Sequence, residues 1–260
     1  MKKSIYSNIL ALALLGVLLL AAAGCGPAPK EAPGQAAQKD VKTAPPPSVQ
    51  VIGKELKDNG EYFEIHLKIP VIDGLEDKDL QAKLNAGFEK AVVDRKEILA
   101  KEARELALES KKQGFPFWPF QLWTDYRVNY NKNGILSLYI EIYEYTGGAH
   151  GMTVRIPYNI NLKNGKIIAL KEIFREGVDY RGVLNREIAR QIDEKKDMFF
   201  TQGDMGFKTI AENQPFYIEE GGMVVYFGLY EISPYAAGIP EFKLPFTLFK
   251  EELNLDWVKL

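Results

Sequence analysis

Several stretches of the chain alternate hydrophobic and polar residues, which is the pattern of half-buried β-strands. From Phe63 to Ile69 the odd positions are hydrophobic and the even positions are polar or charged. Turn-forming residues at 131–134 (N-K-N-G) and 219–222 separate pairs of such runs and favour β-hairpins. The pattern predicts further strands at residues 122–130, 135–145, 153–162, 166–170, 216–218, 223–230 and 242–249.

Two stretches have helical periodicity instead. Hydrophobic residues recur at steps of three, four and seven between residues 80 and 106, which predicts a long amphipathic helix ended by Gly114 and Pro116. At about 33 residues it is long for a globular protein, and a break near residues 94–97 is compatible with the pattern. Residues 180–199 predict a second, shorter amphipathic helix.

The order of predicted elements is strand, helix, strands, helix, strands. Because hairpins dominate and no β-α-β crossover is required, the sequence predicts an α+β fold of antiparallel sheets with one long and one shorter helix. Roughly 210 residues follow the N-terminal region, enough to bury a core as one or two domains. Cys25 is the only cysteine, so packing must hold this fold without disulfides.

The first 25 residues have the pattern of a lipoprotein signal peptide. Lys2 and Lys3 precede an apolar stretch at residues 9–20, which is short for a membrane span. The stretch ends in A-A-A-G-C, so small residues lie directly before Cys25. An ordinary secretory signal with an incidental cysteine is the alternative. We expect removal of residues 1–24 and acylation of Cys25, which would anchor the chain to the outer face of the cell membrane.

Residues 25–48 are rich in proline and alanine and contain P-P-P directly before Ser48. Such a composition does not support a packed core, so this segment is expected to be an extended tether. The net charge of the whole chain is −2, and cleavage before Cys25 would also remove Lys2 and Lys3. With no basic run in the remainder, nucleic acid is not an expected partner.

A glycine-rich loop lies between two predicted strands at residues 143–151 (Y-E-Y-T-G-G-A-H-G). Gly147, Gly148 and Gly151 allow a positive φ or a close backbone approach. His150 lies in the same loop. Its ring either hydrogen bonds to the loop backbone or contacts a ligand.

Residues 230–238 (Y-E-I-S-P-Y-A-A-G) echo this loop, with Gly238 at the position of Gly151. The similarity is either coincidental or marks two equivalent corners that frame one surface. In the second case Tyr145, His150 and Tyr235 are the candidate binding surface.

The residues give little support for catalysis. The chain has two histidines, His66 on a polar strand face and His150, so neither a metal site nor a cofactor is expected. There is no G-x-S-x-G motif. Glu144 and Glu231, at matching places in the echo, could form a glycosidase-type carboxylate pair, although carboxylates at strand ends are more often solvated or ion-paired. The aromatic run at residues 115–123 is either a core lid or a ligand groove.

The folded part resembles the paired extracytoplasmic domains of the lysozyme-sensing anti-sigma-V factor and of the N-terminal region of PdaC-type peptidoglycan deacetylases. The segments that carry this resemblance are I-P-V-I-D-G-L (69–75) with Asn85, the glycine-rich loop, N-G-K-I-I-A-L-K-E-I-F (164–174), and V-V-Y-F-G-L-Y-E-I-S-P-Y-A-A-G (224–238).

The resemblance implies two cooperating subdomains, a PdaC-like one at residues 49–160 and an anti-sigma-V-ectodomain-like one at residues 161–260. It also implies a cell-envelope binding or sensing role, with a cell-wall polysaccharide or a protein such as a muramidase as the ligand. A carbohydrate-active hydrolase that uses Glu144 and Glu231 is the alternative.

Overall fold

A five-stranded sheet crossed by one long helix forms the first half of the folded chain. The computed structural model describes residues 48–201 and 205–254. The strands are β1 (Gln50–Asn59), β2 (Phe63–Asp73), β3 (Phe120–Lys132), β4 (Ile135–Tyr145) and β5 (Met152–Asn161). They lie side by side in that order. Helix α1 (Lys78–Gln113) joins β2 to β3.

The pairing of β2 with β3 differs from the prediction. These strands are parallel, whereas the other neighbours in the sheet are antiparallel. The sheet therefore contains one β-α-β crossover, which the hairpin pattern did not require. A crossover joins segments that are distant in sequence, and local turn signals carry no information about it. The sheets remain mostly antiparallel, as the α+β prediction expected.

Helix α1 is continuous, and the break considered near residues 94–97 is absent. Asp77 caps its start by accepting a hydrogen bond from the Leu80 amide (2.9 Å), and Gly114 ends it in the left-handed conformation. The hydrophobic face of α1 packs on one face of the sheet through buried residues such as Phe88, Val92 and Leu99. No proline or glycine interrupts this face between residues 88 and 113, so nothing in the sequence requires a kink.

A second, three-stranded sheet in the order β6-β7-β8 packs with helix α2 (Tyr180–Asp193) around a second core. Its strands are β6 (Phe216–Glu219), β7 (Gly222–Tyr226) and β8 (Glu241–Pro245). Several elements are shorter than predicted. The strand expected at 166–170 is a single bridge between Ile160 and Ile167, and β7 ends four residues before Tyr230.

The edge of the small sheet docks on the large sheet through buried polar side chains. Ser137 donates a hydrogen bond to Asn159 Oδ1 (2.7 Å) and accepts one from the Ile218 amide (2.8 Å). Asn159 Nδ2 donates to the Phe216 carbonyl (2.9 Å). These side chains satisfy backbone groups of β6 that face away from β7, so a buried sheet edge carries no orphaned polar group there.

The predicted signal peptide, Cys25 and nearly all of the tether lie outside the described residues. Among the residues described, no helix is both long and apolar enough to cross a membrane. One buried cluster is built from residues between 49 and 162, and another from Tyr130 and residues between 168 and 253. The boundary at residues 160 and 161 stays a prediction.

Candidate functional site

The glycine-rich loop leaves the end of β4 with two residues in the left-handed region. Gly147 has a φ of 100° and Gly148 a φ of 96°, conformations that side-chain-bearing residues rarely adopt. The hydroxyl of Tyr145 donates to the Gly148 carbonyl (3.0 Å) and closes the turn. Gly151 serves a different purpose, because a Cβ there would come within 2.5 Å of the Tyr143 ring. The loop therefore requires glycine at these positions for two separate reasons.

The second loop, residues 228–238, contacts the first. The hydroxyl of Tyr235 donates to the Gly151 carbonyl (3.1 Å), and the Tyr235 ring stacks on His150 with 3.9 Å between ring centroids. Tyr230 reaches His150 Nε2 with its hydroxyl (3.1 Å). Gly238, at the end of this loop, has a φ of 73°. The two segments singled out by their similarity thus form one exposed surface, although only the first directly follows a strand.

The hydrogen bonds around His150 place a proton on Nδ1. Nδ1 lies 2.9 Å from the Gly151 carbonyl, which can only accept, so Nδ1 donates. Nε2 lies 3.1 Å from the Tyr230 hydroxyl, which can donate or accept a hydrogen bond. The two contacts tie the imidazole to both loops at once and fix its orientation on the surface.

The structure joins two of the three predicted surface residues. His150 and Tyr235 are in direct contact, whereas Tyr145 hydrogen bonds within its own loop. Tyr230 was not singled out from the sequence. Its contribution depends on a φ of 65°, a conformation that a tyrosine rarely adopts and that no local motif announces.

The two glutamates considered for catalysis have structural partners. Arg95 on α1 donates to both carboxylate oxygens of Glu144, with 2.6 Å from Nε to Oε2. Both side chains are nearly buried, with 10% and 12% exposed. Glu231 accepts a hydrogen bond from the Gly228 amide (2.7 Å), and burial raises the pKa of its carboxyl group. A carboxylate held in a buried bidentate ion pair is poorly placed to act as a nucleophile or base.

The aromatic run divides between the core and the surface. Phe120 is buried, and Phe117 packs against Tyr62 and Phe120. Phe115 and Trp118 are exposed. The run is therefore partly a core lid and partly a surface feature.

One face of the large sheet carries a row of rings beside the glycine-rich loop. His66, Trp123 and Tyr143 are register partners on β2, β3 and β4. Ring centroids are 6.3 Å apart for the first pair and 5.4 Å for the second. In the part of the chain that is described, no cluster of three or more histidine, cysteine or acidic side chains is arranged to hold a metal ion.

These aromatic residues lie at the end of the large sheet remote from the start of the described chain. Val49 exchanges two hydrogen bonds with the side chain of Asn131, near the C-terminal end of β3. Gln121, at the other end of β3, pairs with Tyr145. The ten intervening steps correspond to roughly 30 Å at the usual rise of a strand. The candidate surface therefore points away from the point where the chain enters the fold.

Two family models match consecutive parts of this fold. Residues 56–153 match the family described as deacetylase PdaC, and residues 171–247 match the protein family of unknown function DUF3298. The chain resembles both families. The predicted resemblance is thereby confirmed, and each match lies mainly around one of the two hydrophobic cores.

Two curated proteins of Bacillus subtilis (strain 168) are similar to most of the chain. Identity to the anti-sigma-V factor RsiV is 28% over 213 residues, covering 76% of this chain and 70% of RsiV. Identity to the peptidoglycan-N-acetylmuramic acid deacetylase PdaC is 23% over 217 residues, covering 80% of this chain and 46% of PdaC. The chain thus spans less than half of the length of that deacetylase.

Two solved DUF3298-family structures share the fold. The protein from Bacteroides fragilis NCTC 9343 aligns with a TM-score of 0.67 at 20% identity, covering 83% of this chain and 97% of that one. The protein from Pseudomonas aeruginosa PAO1 aligns with a TM-score of 0.54 at 20% identity, covering 82% and 97%. At this identity the match concerns the fold alone, and it confirms the predicted α+β class.

Proposed function

We propose that this chain is an extracytoplasmic lipoprotein that binds or senses a component of the cell envelope. Cys25 would carry the lipid anchor, residues 26–48 would act as the tether, and the folded part would carry the ligand surface at the end of the large sheet opposite to Val49. The ligand is a cell-wall polysaccharide or an envelope protein such as a muramidase.

The similarity to RsiV and PdaC supports binding as the shared role. One is named an anti-sigma factor and the other a peptidoglycan deacetylase. A region found in proteins of such different activity is more simply explained by recognition than by chemistry. The pairing of Glu144 with Arg95 supports the same choice, because it occupies one of the two carboxylates that a hydrolase would need.

The observation that carries the proposal is the contact between the two loops. His150, Tyr230 and Tyr235 form an exposed aromatic cluster built from both halves of the fold. Amphipathic rings that combine apolar area with hydrogen-bonding groups are typical of recognition surfaces. Tyr145, which hydrogen bonds to the Gly148 carbonyl in the first loop, is a further candidate for this surface.

The proposal is tested by retention of envelope components on the purified chain. The protein would comprise residues 25–260 with Cys25→Ser, which removes the acylation site. We expect this protein to retain components of a bacterial envelope fraction. The Tyr235→Ala variant should retain much less of the same fraction. A matched control is Val128→Ala, which shortens an exposed apolar side chain near the C-terminal end of β3, at the opposite end of the large sheet. If no envelope fraction is retained, or if Tyr235→Ala retains as much as the unaltered surface, the proposal is wrong.

A further inference from the structure

The row of His66, Trp123 and Tyr143 forms a platform on the large sheet. The three residues occupy neighbouring strands in one register, so their side chains emerge side by side from the same face. Trp123, in the middle, is 43% exposed. Because the rings of His66 and Tyr143 adjoin that of Trp123, the row forms one contiguous aromatic area, and contiguous rather than isolated apolar exposure is typical of a binding surface.

The small sheet covers this face only in part. Its edge strand β6 docks on Ser137 and Asn159, near the end of the sheet opposite to Trp123. Toward the glycine-rich loop the face is bounded by Gly151, against which the Tyr143 ring packs. The hydroxyl of Tyr235 donates a hydrogen bond to the Gly151 carbonyl. The platform thus ends at the surface formed by the two loops and is continuous with it.

Polar side chains carrying both signs of charge flank the platform on both sides. On one side Gln121 donates to Glu64 (3.2 Å), and on the other side Lys68 pairs with Asp125 (2.9 Å). Lys57 adds an exposed cation at the outer end, opposite His66. Because neither sign of charge dominates, the flanks do not favour a ligand of one strong charge, whereas a hydroxyl-rich ligand would find donors and acceptors along both edges.

We infer that this platform binds a glycan chain by stacking its pyranose rings on Trp123 and Tyr143. The inference rests on the proposed envelope-binding function and names the ligand class. One face of a pyranose ring presents C–H groups, which are attracted to the negative face of an aromatic ring. Its hydroxyl groups project sideways, toward Gln121 and Glu64 on one edge and Lys68 and Asp125 on the other. Successive sugars in a β-1,4-linked chain then follow successive strands.

The test uses β-1,4-linked N-acetylglucosamine oligomers as the probe, with the Cys25→Ser protein of residues 25–260. Calorimetric titration should show binding that weakens on the order of tenfold in Trp123→Ala, because one stacked ring is lost. Trp123→Phe keeps an aromatic face and should retain most of the affinity. Trp118→Ala is the matched control, since Trp118 is also exposed but lies outside the row.

A second measurement keeps the inference testable if Trp123→Ala fails to fold. In Trp118→Phe/Trp257→Phe, Trp123 is the sole tryptophan, and the oligomer should change its fluorescence. The inference is overturned if the oligomer does not change the fluorescence of Trp123 and binds Trp123→Ala as tightly as the protein with Trp123 intact. Retention of an envelope protein without any oligomer binding would also overturn it while leaving the proposed function intact. If the protein retains no envelope component and binds no oligomer, both the glycan-binding inference and the proposed function are wrong.

Discussion

Removal of the Glu144 carboxylate separates a structural from a catalytic role for this residue. Glu144→Ala would leave the guanidinium of Arg95 nearly buried without its bidentate partner. Burial favours the uncharged form, but the hydrogen bond and charge of Glu144 outweigh it and raise the pKa of Arg95. Arginine stays protonated in any case, so the substitution leaves a nearly buried charge whose remaining carboxylate contact is the half-exposed Glu102.

The expected cost follows from the burial of the pair. Breaking a buried ion pair by deleting one partner costs about 3–5 kcal/mol. For a folded part of roughly 200 residues, each kcal/mol corresponds to about 2–4 °C in melting temperature, so a drop of about 6–20 °C is expected. Glu102 is a matched control, because it also contacts Arg95 (3.4 Å) but is 46% exposed. Glu102→Ala should cost at most ~1 kcal/mol.

The assay is thermal and urea unfolding of the single variants and of Arg95→Met/Glu144→Ala. Replacing both partners by apolar side chains should recover much of the lost stability, because no buried charge then remains. If Glu144→Ala melts like Glu102→Ala, the buried pair does not stabilise the fold as argued. A stable Glu144→Ala protein that had lost a hydrolytic activity would support the enzymatic alternative instead.

Three further predictions concern the loop, the sheet interface and the anchor. Gly148→Ala should lower the free energy of unfolding by roughly 1–3 kcal/mol, because residue 148 has a positive φ. As a control, Gly87→Ala in α1 should raise the free energy of unfolding by about 0.5–1 kcal/mol, because a Cβ added there meets open space. Equal effects of the two substitutions in chemical denaturation would contradict this. Asn159→Leu should cost at least ~2 kcal/mol in the same assay, since the buried Phe216 carbonyl and the buried Ser137 hydroxyl lose their partner, and an unchanged denaturation midpoint would refute that role. Cys25→Ser should abolish acyl labelling and membrane association in cell fractionation, and persistent labelling would exclude this cysteine as the anchor.

Local patterns in the sequence predicted most strands and both helices. Alternation identifies a strand such as β4 because the pleat repeats every two residues, and Asp77 and Gly114 mark the ends of α1 because their roles are local. Asn159 lies in a predicted strand, but no local pattern indicated that its side chain is buried. It is buried because β6 packs against it, and β6 is distant in sequence.

The candidate site could be predicted only in part, because its glycine signals are local whereas its contacts join segments that are distant in sequence. Adjacent glycines announce a tight loop, so Gly147 and Gly148 could be recognised from the sequence alone. The contact of His150 with Tyr235 followed only from the weak similarity of the two loops. The row through Trp123 depends on a parallel pairing between distant segments, and no local pattern predicts which side chains such a pairing brings together.

The surface formed by the two loops is tested most directly by amide hydrogen exchange. The Cys25→Ser protein would be measured alone, with soluble peptidoglycan fragments, and with a muramidase in a separate arm. We expect one of these partners to slow exchange at residues 143–151 and 228–238. Protection confined to α1 or to the hairpin at residues 131–135, at the opposite end of the large sheet, would contradict the proposed surface.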